Sequence, residues 1–409
     1  MGEPRSVLLI SPGYPAEMPF FVRGLDAAGA RVIGLGDQPA DALPETSRRH
    51  LADYVQVRSF ADEDAIVGQV ARAASLLRID QVESLWEPTM LLAARLREAL
   101  GLPGMSVEET IPFRDKERMK QVLDAAGIRT PHHYSATTGA GVRDAAERVG
   151  FPLIVKPIAG AGSADTHRVE SYEQLDRVIP SLRRQPVVSV EEFVDGDEFT
   201  YDTICAGGRV LFENVCWYRP RPLITRQLEW VSPITLALRD TSVPHLAAGV
   251  AMGRSVLRAL GFESGFTHME WYLRADGSAV FGEIGARPPG ARTVDVMNYS
   301  CDSDLFQRWA EAVVHGAFSG PVVRTYNAAS IFKRAQGHGR IVRIDGLAHL
   351  LAEYDDSVCT IDLLPIGAPR RDWLRTLISD GMVIVRHPEL SQCVEIADRF
   401  AAELQLFAG

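Results

Sequence analysis

A chain of 409 residues exceeds what one ordinary hydrophobic core accommodates and predicts two or three domains. With 46% hydrophobic and 23% charged residues it is neither disordered nor fibrous. A net charge of −10 excludes a broad nucleic-acid-binding surface, while leaving room for local basic clefts around phosphates.

The apolar run Val7–Ile10 is too short for a membrane span or a signal segment, and reads as a first strand. Pro12-Gly13-Tyr14-Pro15 turns it, a helix runs to the stop at Gly29, and a second strand follows at Arg31–Leu35. Strand Tyr54–Val57, a helix over about 62–77, strand Asp80–Trp86 and a helix ending at Leu100-Gly101 complete a small doubly wound α/β unit. Gly34-Leu35-Gly36 lacks the third glycine of a dinucleotide fingerprint. Glu87 falls just past a strand's carboxyl end, where open parallel sheets bind ligands; it is a substrate contact or a helix N-terminal charge. Five cysteines, at 205, 216, 301, 359 and 393, show no zinc spacing and read as buried thiols in a reducing cytoplasm.

Asp115 can cap a helix whose apolar positions Met119, Val122, Leu123 and Ala126 share one face. Lys116 lies in its first turn, near backbone N–H groups that favour an anion, or is an ordinary surface lysine. Phe151–Pro157 reads as a buried strand that delivers Lys156 at its end, which is costly unless the ammonium meets a wet or anionic cleft. The stretch Ala159–Asp165, with Gly160, Gly162 and Ser163, suits an anion nest or a plain turn, and is not a Walker loop. Val187–Phe193 puts Glu191 and Glu192 on opposite faces of a strand, and Glu198 opens the next; these acids line a cleft or a solvated rim.

Strands Gly265–Leu273 and Ala279–Ile284 flank Asp276-Gly277, a strong hairpin signal. With those two residues as the loop, Glu270 lies directly opposite Glu283, Cβ atoms about 4.5–5.5 Å apart. Two carboxylates so placed repel, and a divalent cation between them turns repulsion into attraction; an oxygen-only pair suits Mg²⁺ beside phosphates. A one-residue slip would instead send them to different faces. In the first register, neutralising one acid leaves the metal-free chain as stable or slightly more so. His268 then faces Gly285 and is a hydrogen-bond partner of the glutamates, a weak extra ligand, or packing. Earlier, Trp217–Pro222 with Arg219 and Arg221, followed by Arg226, suits recognition of a substrate carboxylate or docking of a loop on the C-terminal region.

Together these segments resemble the ATP-grasp superfamily from Pro112 to Ala317, in that family's order. DKERMKQVLDAAGIRTP resembles its first lysine helix, LIVKPIAGAGSAD its second lysine and phosphate loop, VEEFVDGDEF its nucleoside segment, and HMEWYLRADGSAVFGEIGARPPG its metal and catalytic strands. The resemblance implies that Lys116 and Lys156 hold the α- and β-phosphates of ATP, and that Gly160, Gly162 and Ser163 close over them. It further implies that Glu191 takes the adenine amino group, the backbone of Glu192, Phe193 and Val194 the ring edge, and Glu198 the ribose. Glu270 and Glu283 would hold one or two Mg²⁺ ions, with Mn²⁺ a substitute, and Arg287 would steady the transferred phosphoryl group or the tetrahedral intermediate. Gly285 departs from the asparagine that many members carry there, which bears on a second metal position.

The implied fold is an α/β and α+β assembly. It comprises an N-terminal Rossmann-like domain over 1–111, an ATP-grasp domain over 112–317 with a lid subdomain over about 130–196, and a C-terminal α+β domain over 318–409. GEIGARPPG is most similar to the carboxylate–amine ligase branch, amino-acid ligases included. That branch implies an ADP-forming, cytoplasmic ligase making an amide bond through an acyl phosphate. Its substrates would be a small-molecule carboxylate and an amine, touching Glu87, Arg219, Arg221, Arg226 and Gly290. No nucleic-acid or membrane partner is implied, and a homodimer is compatible. The rival readings are a carboxylase or purine-pathway-type ligase using carboxyphosphate, and a catalytically idle ATP-binding protein.

Overall fold

The computed structural model describes residues 4–158, 166–184, 186–376 and 378–409. Strands β1 (Ser6–Ile10), β2 (Arg31–Gly36), β3 (Asp53–Gln56) and β4 (Gln81–Ser84) form a parallel sheet in the order β3-β2-β1-β4. Strand alternation divides its two faces. Val7 and Leu9 meet Phe21, Val22 and Leu25 of the helix Met18–Ala27. Leu8 and Ile10 meet Ile66 and Val70 of the helix Glu63–Leu77 and Leu96 of the helix Met90–Leu100. Strand order reverses between β1 and β4, and Glu87 stands just past the end of β4.

A second sheet has its own core. Strands β5 (His133–Ala136), β6 (Leu153–Pro157), β7 (His167–Val169) and β8 (Val188–Glu192) pair antiparallel in the order β5-β8-β6-β7. Leu153, Val155 and Val190 bury against Val142 and Ala146 of the helix Gly139–Val149 and Leu175 of the helix Tyr172–Val178. This unit falls within the stretch expected to form the lid.

The largest sheet takes β9 (Asp197–Ala206), β10 (Arg209–Asn214), β11 (Cys216–Arg219), β12 (Ile234–Ala237), β13 (Gly265–Leu273), β14 (Ala279–Gly285) and β15 (Asn327–Phe332). Beyond β16 (Gln336–Gly337) and β17 (Ile341–Asp345), it continues with β18 (Val358–Leu363) and β19 (Gly381–His387). A closing strand, β20 (Gln405–Ala408), pairs with β16 and β17 in a small separate sheet.

Strands from residues 318–409 join the central sheet. β15 pairs with β12, and β19 with β15, so they extend the central sheet. The reason is visible in β15, whose six residues are all buried, and in the buried run Met382–Val385: neither strand has a polar face to give to water. Ile331, Val383 and Phe400 share one core with Phe199, Trp271 and Phe281. Each such apolar side chain contributes about 1.5–3 kcal/mol on full burial.

Candidate active site

The paired glutamates sit on β13 and β14, whose register arises from two departures that cancel. Arg274 N–H bonds Ser278 O and Gly277 N–H bonds Arg274 O, both at 2.9 Å. The loop is thus three residues, Ala275–Gly277, with Gly277 at φ +80°, and not the two-residue loop of the simplest reading. Near the turn Leu273 faces Ala279 and Trp271 faces Phe281. A bulge at Gly282 then adds one residue to β14 and restores Glu270 opposite Glu283 and His268 opposite Gly285. A Cβ at position 282 would lie 2.8 Å from the Glu270 carbonyl oxygen, so the bulge needs glycine.

β9 lies on the other side of β13 and adds a polar row. Glu198, Thr200 and Asp202 alternate along it, opposite Tyr272, Glu270 and His268. Facing this surface across a cleft stand Lys156 of β6, Glu191 and Glu192 of β8, and Phe193 and Val194 just past its end. Asp115 caps the helix Lys116–Ala125, accepting from Glu117 N–H at 2.9 Å and Arg118 N–H at 3.0 Å. That start points Lys116 at Glu283, Nζ to Oε2 2.8 Å. One turn on, Lys120 pairs with one oxygen of Glu191, and Lys156 takes the other at 2.9 Å. Glu191 is 3% exposed, so it is a buried carboxylate between two ammonium groups.

This changes one expectation. Both oxygens of Glu191 are engaged by lysines, so it does not stand open to an adenine amino group. Lys120 is the residue the sequence reading passed over; its place four residues after Lys116, on the same helical face, was the available signal. Gly160, Gly162 and Ser163 lie outside the described residues.

The electrostatics follow from this geometry. Burial disfavours the Glu191 carboxylate, yet Lys120 and Lys156 outweigh it and hold the acid well below the usual carboxylate range. Glu283 is held down to about 2, because Lys116 and Lys156 overcome burial. The expectation that neutralising one metal-site glutamate costs nothing is therefore corrected: Glu283 has lysine counter-charges, not merely a repelling neighbour. Burial, only partly offset by Glu191, brings Lys120 down to about 8. Burial and then Glu270 push Glu198 up to about 8, against the guanidinium of Arg221, whose Nε lies 3.2 Å away.

A Mg²⁺ ion fits Glu270 and Glu283 on donor chemistry. Both are hard oxygen donors directly opposed across the hairpin. Among the described residues no group of three or more His, Cys, Asp or Glu side chains forms a closed metal cage. Two carboxylates with open positions match the way Mg²⁺ is bound beside phosphates.

Glu270 and Glu283 also line a second cavity, of about 1710 Å³, that opens toward the N-terminal sheet. Arg287 enters it with Nε donating to Glu87 Oε2 at 3.0 Å, while Arg114 pairs with the other oxygen of Glu87. Glu87 thus anchors an arginine across the two domains, more than a helix N-terminal charge would. Gly290 and Arg226 line the same cavity.

The other two arginines of the 217–226 stretch do not. Arg219 donates to Asp398 at 2.8 and 3.2 Å and stacks on Trp217, tying the loop to the C-terminal helix Leu390–Glu403. Arg221 lies over Phe193 and Tyr272 and donates to Val194 O at 3.0 Å, which puts it in the first cleft.

His268 Nδ1–H donates to Asp202 Oδ1 at 2.6 Å, while its Nε2 lies 3.6 Å from Glu270. Burial, which disfavours the imidazolium, is outweighed by Asp202 and Glu270, raising His268 to about 9. The room left at Gly285 is not taken by His268. A Cβ there would meet the Arg287 Cγ at 3.3 Å, so the arginine stem occupies it. Asp202 was missed from sequence, although the alternation Glu198, Thr200, Asp202 announces it.

Two family models match the chain, an ATP-grasp N-terminal domain over residues 25–104 and an ATP-grasp domain over residues 113–217. An uncharacterized protein of Sinorhizobium fredii is 28% identical, the match covering 69% of this chain and 59% of that one. The L-arginine-specific L-amino acid ligase of Bacillus subtilis is 26% identical over 69% of each chain. The crystal structure of the L-amino acid ligase from Bacillus licheniformis superposes over 100% of both chains with a TM-score of 0.80 at 21% identity, a likeness of fold. No helix among the described residues is long and apolar enough to cross a membrane.

Proposed function

The chain belongs to the ATP-grasp superfamily, and we propose that it is an ADP-forming ligase that joins a small-molecule carboxylate to an amine through an acyl phosphate. The observation that carries the reading is the junction of the two cavities at Glu270 and Glu283. A nucleotide in the first would present its terminal phosphate to an acid in the second, at a wall bearing Lys116, Arg287 and both glutamates.

A carboxylate is a poor electrophile until one oxygen becomes a leaving group. Transfer of the γ-phosphoryl group needs little covalent help from the protein; it needs positioning and compensation of charge. Lys116 and Lys156 would hold phosphates, Arg221 and Glu198 the nucleoside, and Arg287 the transferring group. Glu270 and Glu283 would hold Mg²⁺, or Mn²⁺ in its place, which would supply charge neutralisation at the phosphates. Glu191 would act indirectly, by fixing Lys156, and the backbone of Glu192 to Val194 would meet the base. His268 would steady Glu270 from Asp202. The amine then attacks the acyl carbon and phosphate leaves, in a site that must exclude water.

The two B. subtilis and B. licheniformis relatives named above are amino-acid ligases, which supports amino acids or related acids as substrates. The arginine specificity in the first name is that protein's own. The test is turnover across pairs of amino acids and small acids, with mass detection of the product. ADP and phosphate should appear in equal amounts and depend on the amine. AMP and pyrophosphate would refute the reading, and bicarbonate dependence without amine dependence would turn it to a carboxyphosphate enzyme.

A further inference from the structure

The ligase reading leaves part of the larger cavity without a role. Besides the reaction end at Glu270, Glu283 and Arg287, the cavity is lined by Arg226, Arg334 and Trp373. Phe332 and Ile234 supply apolar wall in the same cavity. Arg226 follows the short helix Pro222–Thr225, and Arg334 follows β15, so two segments more than a hundred residues apart bring like charges together.

Each guanidinium is fixed by neutral acceptors. Arg334 donates through one terminal nitrogen to Thr225 O at 2.7 Å and Leu228 O at 3.0 Å, and its plane lies over Trp373, 4.4 Å from the ring centroid. Arg226 donates to Leu374 O at 2.9 Å. Among the described residues neither forms an ion pair with a carboxylate. The two acids nearest Arg334 are engaged elsewhere. Glu229 pairs with Arg370, and Asp380 accepts from Arg371 N–H at 2.7 Å and Ala335 N–H at 2.8 Å. Burial weakens both cations' hold on their protons, and for Arg334 the charge of Arg226 adds to it, bringing it to about 10. Paired cations in a partly dry wall, held in place by backbone carbonyls, present an unmet demand for an anion.

We infer that Arg226 and Arg334 form an anion subsite that takes a second carboxylate of the substrates, distinct from the one that is phosphorylated. A guanidinium fork matches a carboxylate, and Trp373 keeps Arg334 in a fixed plane. The inference rests on the ligase reading. The second carboxylate can belong to the amine, as in an amino acid, or to the side chain of the acyl donor, and the chemistry is the same.

The experiment compares acid and amide partners in ADP release. One arm uses amines, glycine against glycinamide and β-alanine against its amide. The other uses acyl donors, glutamate against glutamine. Wild type should favour the acid over its amide in one arm, by about 10–100-fold in kcat/KM. Arg226→Gln should cut that preference to within a few-fold, mainly through KM, and Arg226→Lys should restore part of it. Arg334→Gln should act alike, but it also removes bonds to two backbone carbonyls, so Arg226 carries the decision. The arm that responds names the source of the carboxylate. Equal use of acid and amide by wild type, or an Arg226→Gln loss shared by both, would overturn the subsite and leave the ligase standing. No ADP with any pair would overturn the ligase reading and the subsite with it.

Discussion

The two cavities that meet at Glu270 and Glu283 differ in how their charge is balanced. In the first cleft most charged groups have a partner within the protein: Lys116 with Glu283, and Lys120 and Lys156 with Glu191. In the second cavity the balance is partial. Arg287 and Arg114 share Glu87, while Arg226 and Arg334 rest on carbonyl oxygens. A site that binds the same nucleotide in every turnover can be pre-formed and internally compensated. A cavity whose wall keeps uncompensated cations is shaped for the charge its ligand brings.

The largest expected effect tests the compensated side. Glu191→Gln removes the carboxylate that bridges the buried Lys120 and the partly buried Lys156. Breaking a buried pair by deleting one partner costs about 3–5 kcal/mol. Chemical denaturation should show a loss in that range and ATP binding should fail. A variant as stable as wild type would mean that Lys120 and Lys156 do not depend on Glu191. Glu283→Gln comes next. Even residues that only support a metal ligand cost about 10–100-fold, so turnover should fall by at least about 100-fold. Stability should fall as well, because the ion pair between Lys116 and Glu283 at 2.8 Å is lost. The sign with pH follows: a carboxyl held near 2 stabilises the fold above the ordinary carboxylate range, and that contribution is lost as pH drops through about 2. Near-normal turnover would show the glutamate pair to be structural.

The comparison also separates what the sequence shows from what it hides. That Lys116, Lys156, Glu270 and Glu283 line one cleft was legible because they come in short motifs on single elements: Asp115 and Lys116 at a helix start, Lys156 at a strand end, Glu270 and Glu283 on one hairpin. Even there the reading of the turn was off by one residue, and Gly282 hid the compensating bulge, which no period-2 pattern reveals. Lys120 was lost because a buried lysine looks like any helical lysine until its partner is known. The substrate cavity was not legible in the same way. Glu87, Arg226, Arg334 and Trp373 come from four distant segments, and three arginines close in sequence diverge to three destinations. An α+β region was expected over 318–409, but not its continuity with β12, since pairing between distant strands leaves no local trace.

Glu87→Gln probes the link between the cavities at middle size. The amide keeps the shape and removes the charge that holds Arg287 Nε at 3.0 Å. Misplacing a group that steadies a transferring phosphoryl costs up to about 100-fold, so kcat should fall by about 10–100-fold with the KM for ATP little changed. An effect confined to the KM of the amine would instead make Glu87 a direct contact of that substrate. Glu198→Ala should do the opposite, raising the KM for ATP about tenfold while kcat stays within a few-fold, because a nucleoside contact is alike in ground and transition states. An unchanged ATP constant would remove Glu198 from the nucleotide site.

The smallest expected effect concerns Gly285. A methyl group there would meet the Arg287 Cγ at 3.3 Å, closer than ordinary contact, yet the neighbour is a flexible stem and not backbone. The arginine can yield by a few tenths of an ångström, so Gly285→Ala should change stability by less than about 1 kcal/mol. The displacement moves the guanidinium away from Glu87, and kcat should fall about three- to tenfold. Asparagine is larger and should cost more, because Arg287 occupies its space. The coupling can be measured directly. If both substitutions act through the bond between Arg287 and Glu87, Gly285→Ala in a Glu87→Gln background should cost less than it does alone, an interaction of about 0.5 kcal/mol or more in a double-mutant cycle. Strict additivity would mean that Gly285 acts elsewhere, with the facing His268 the first residue to examine.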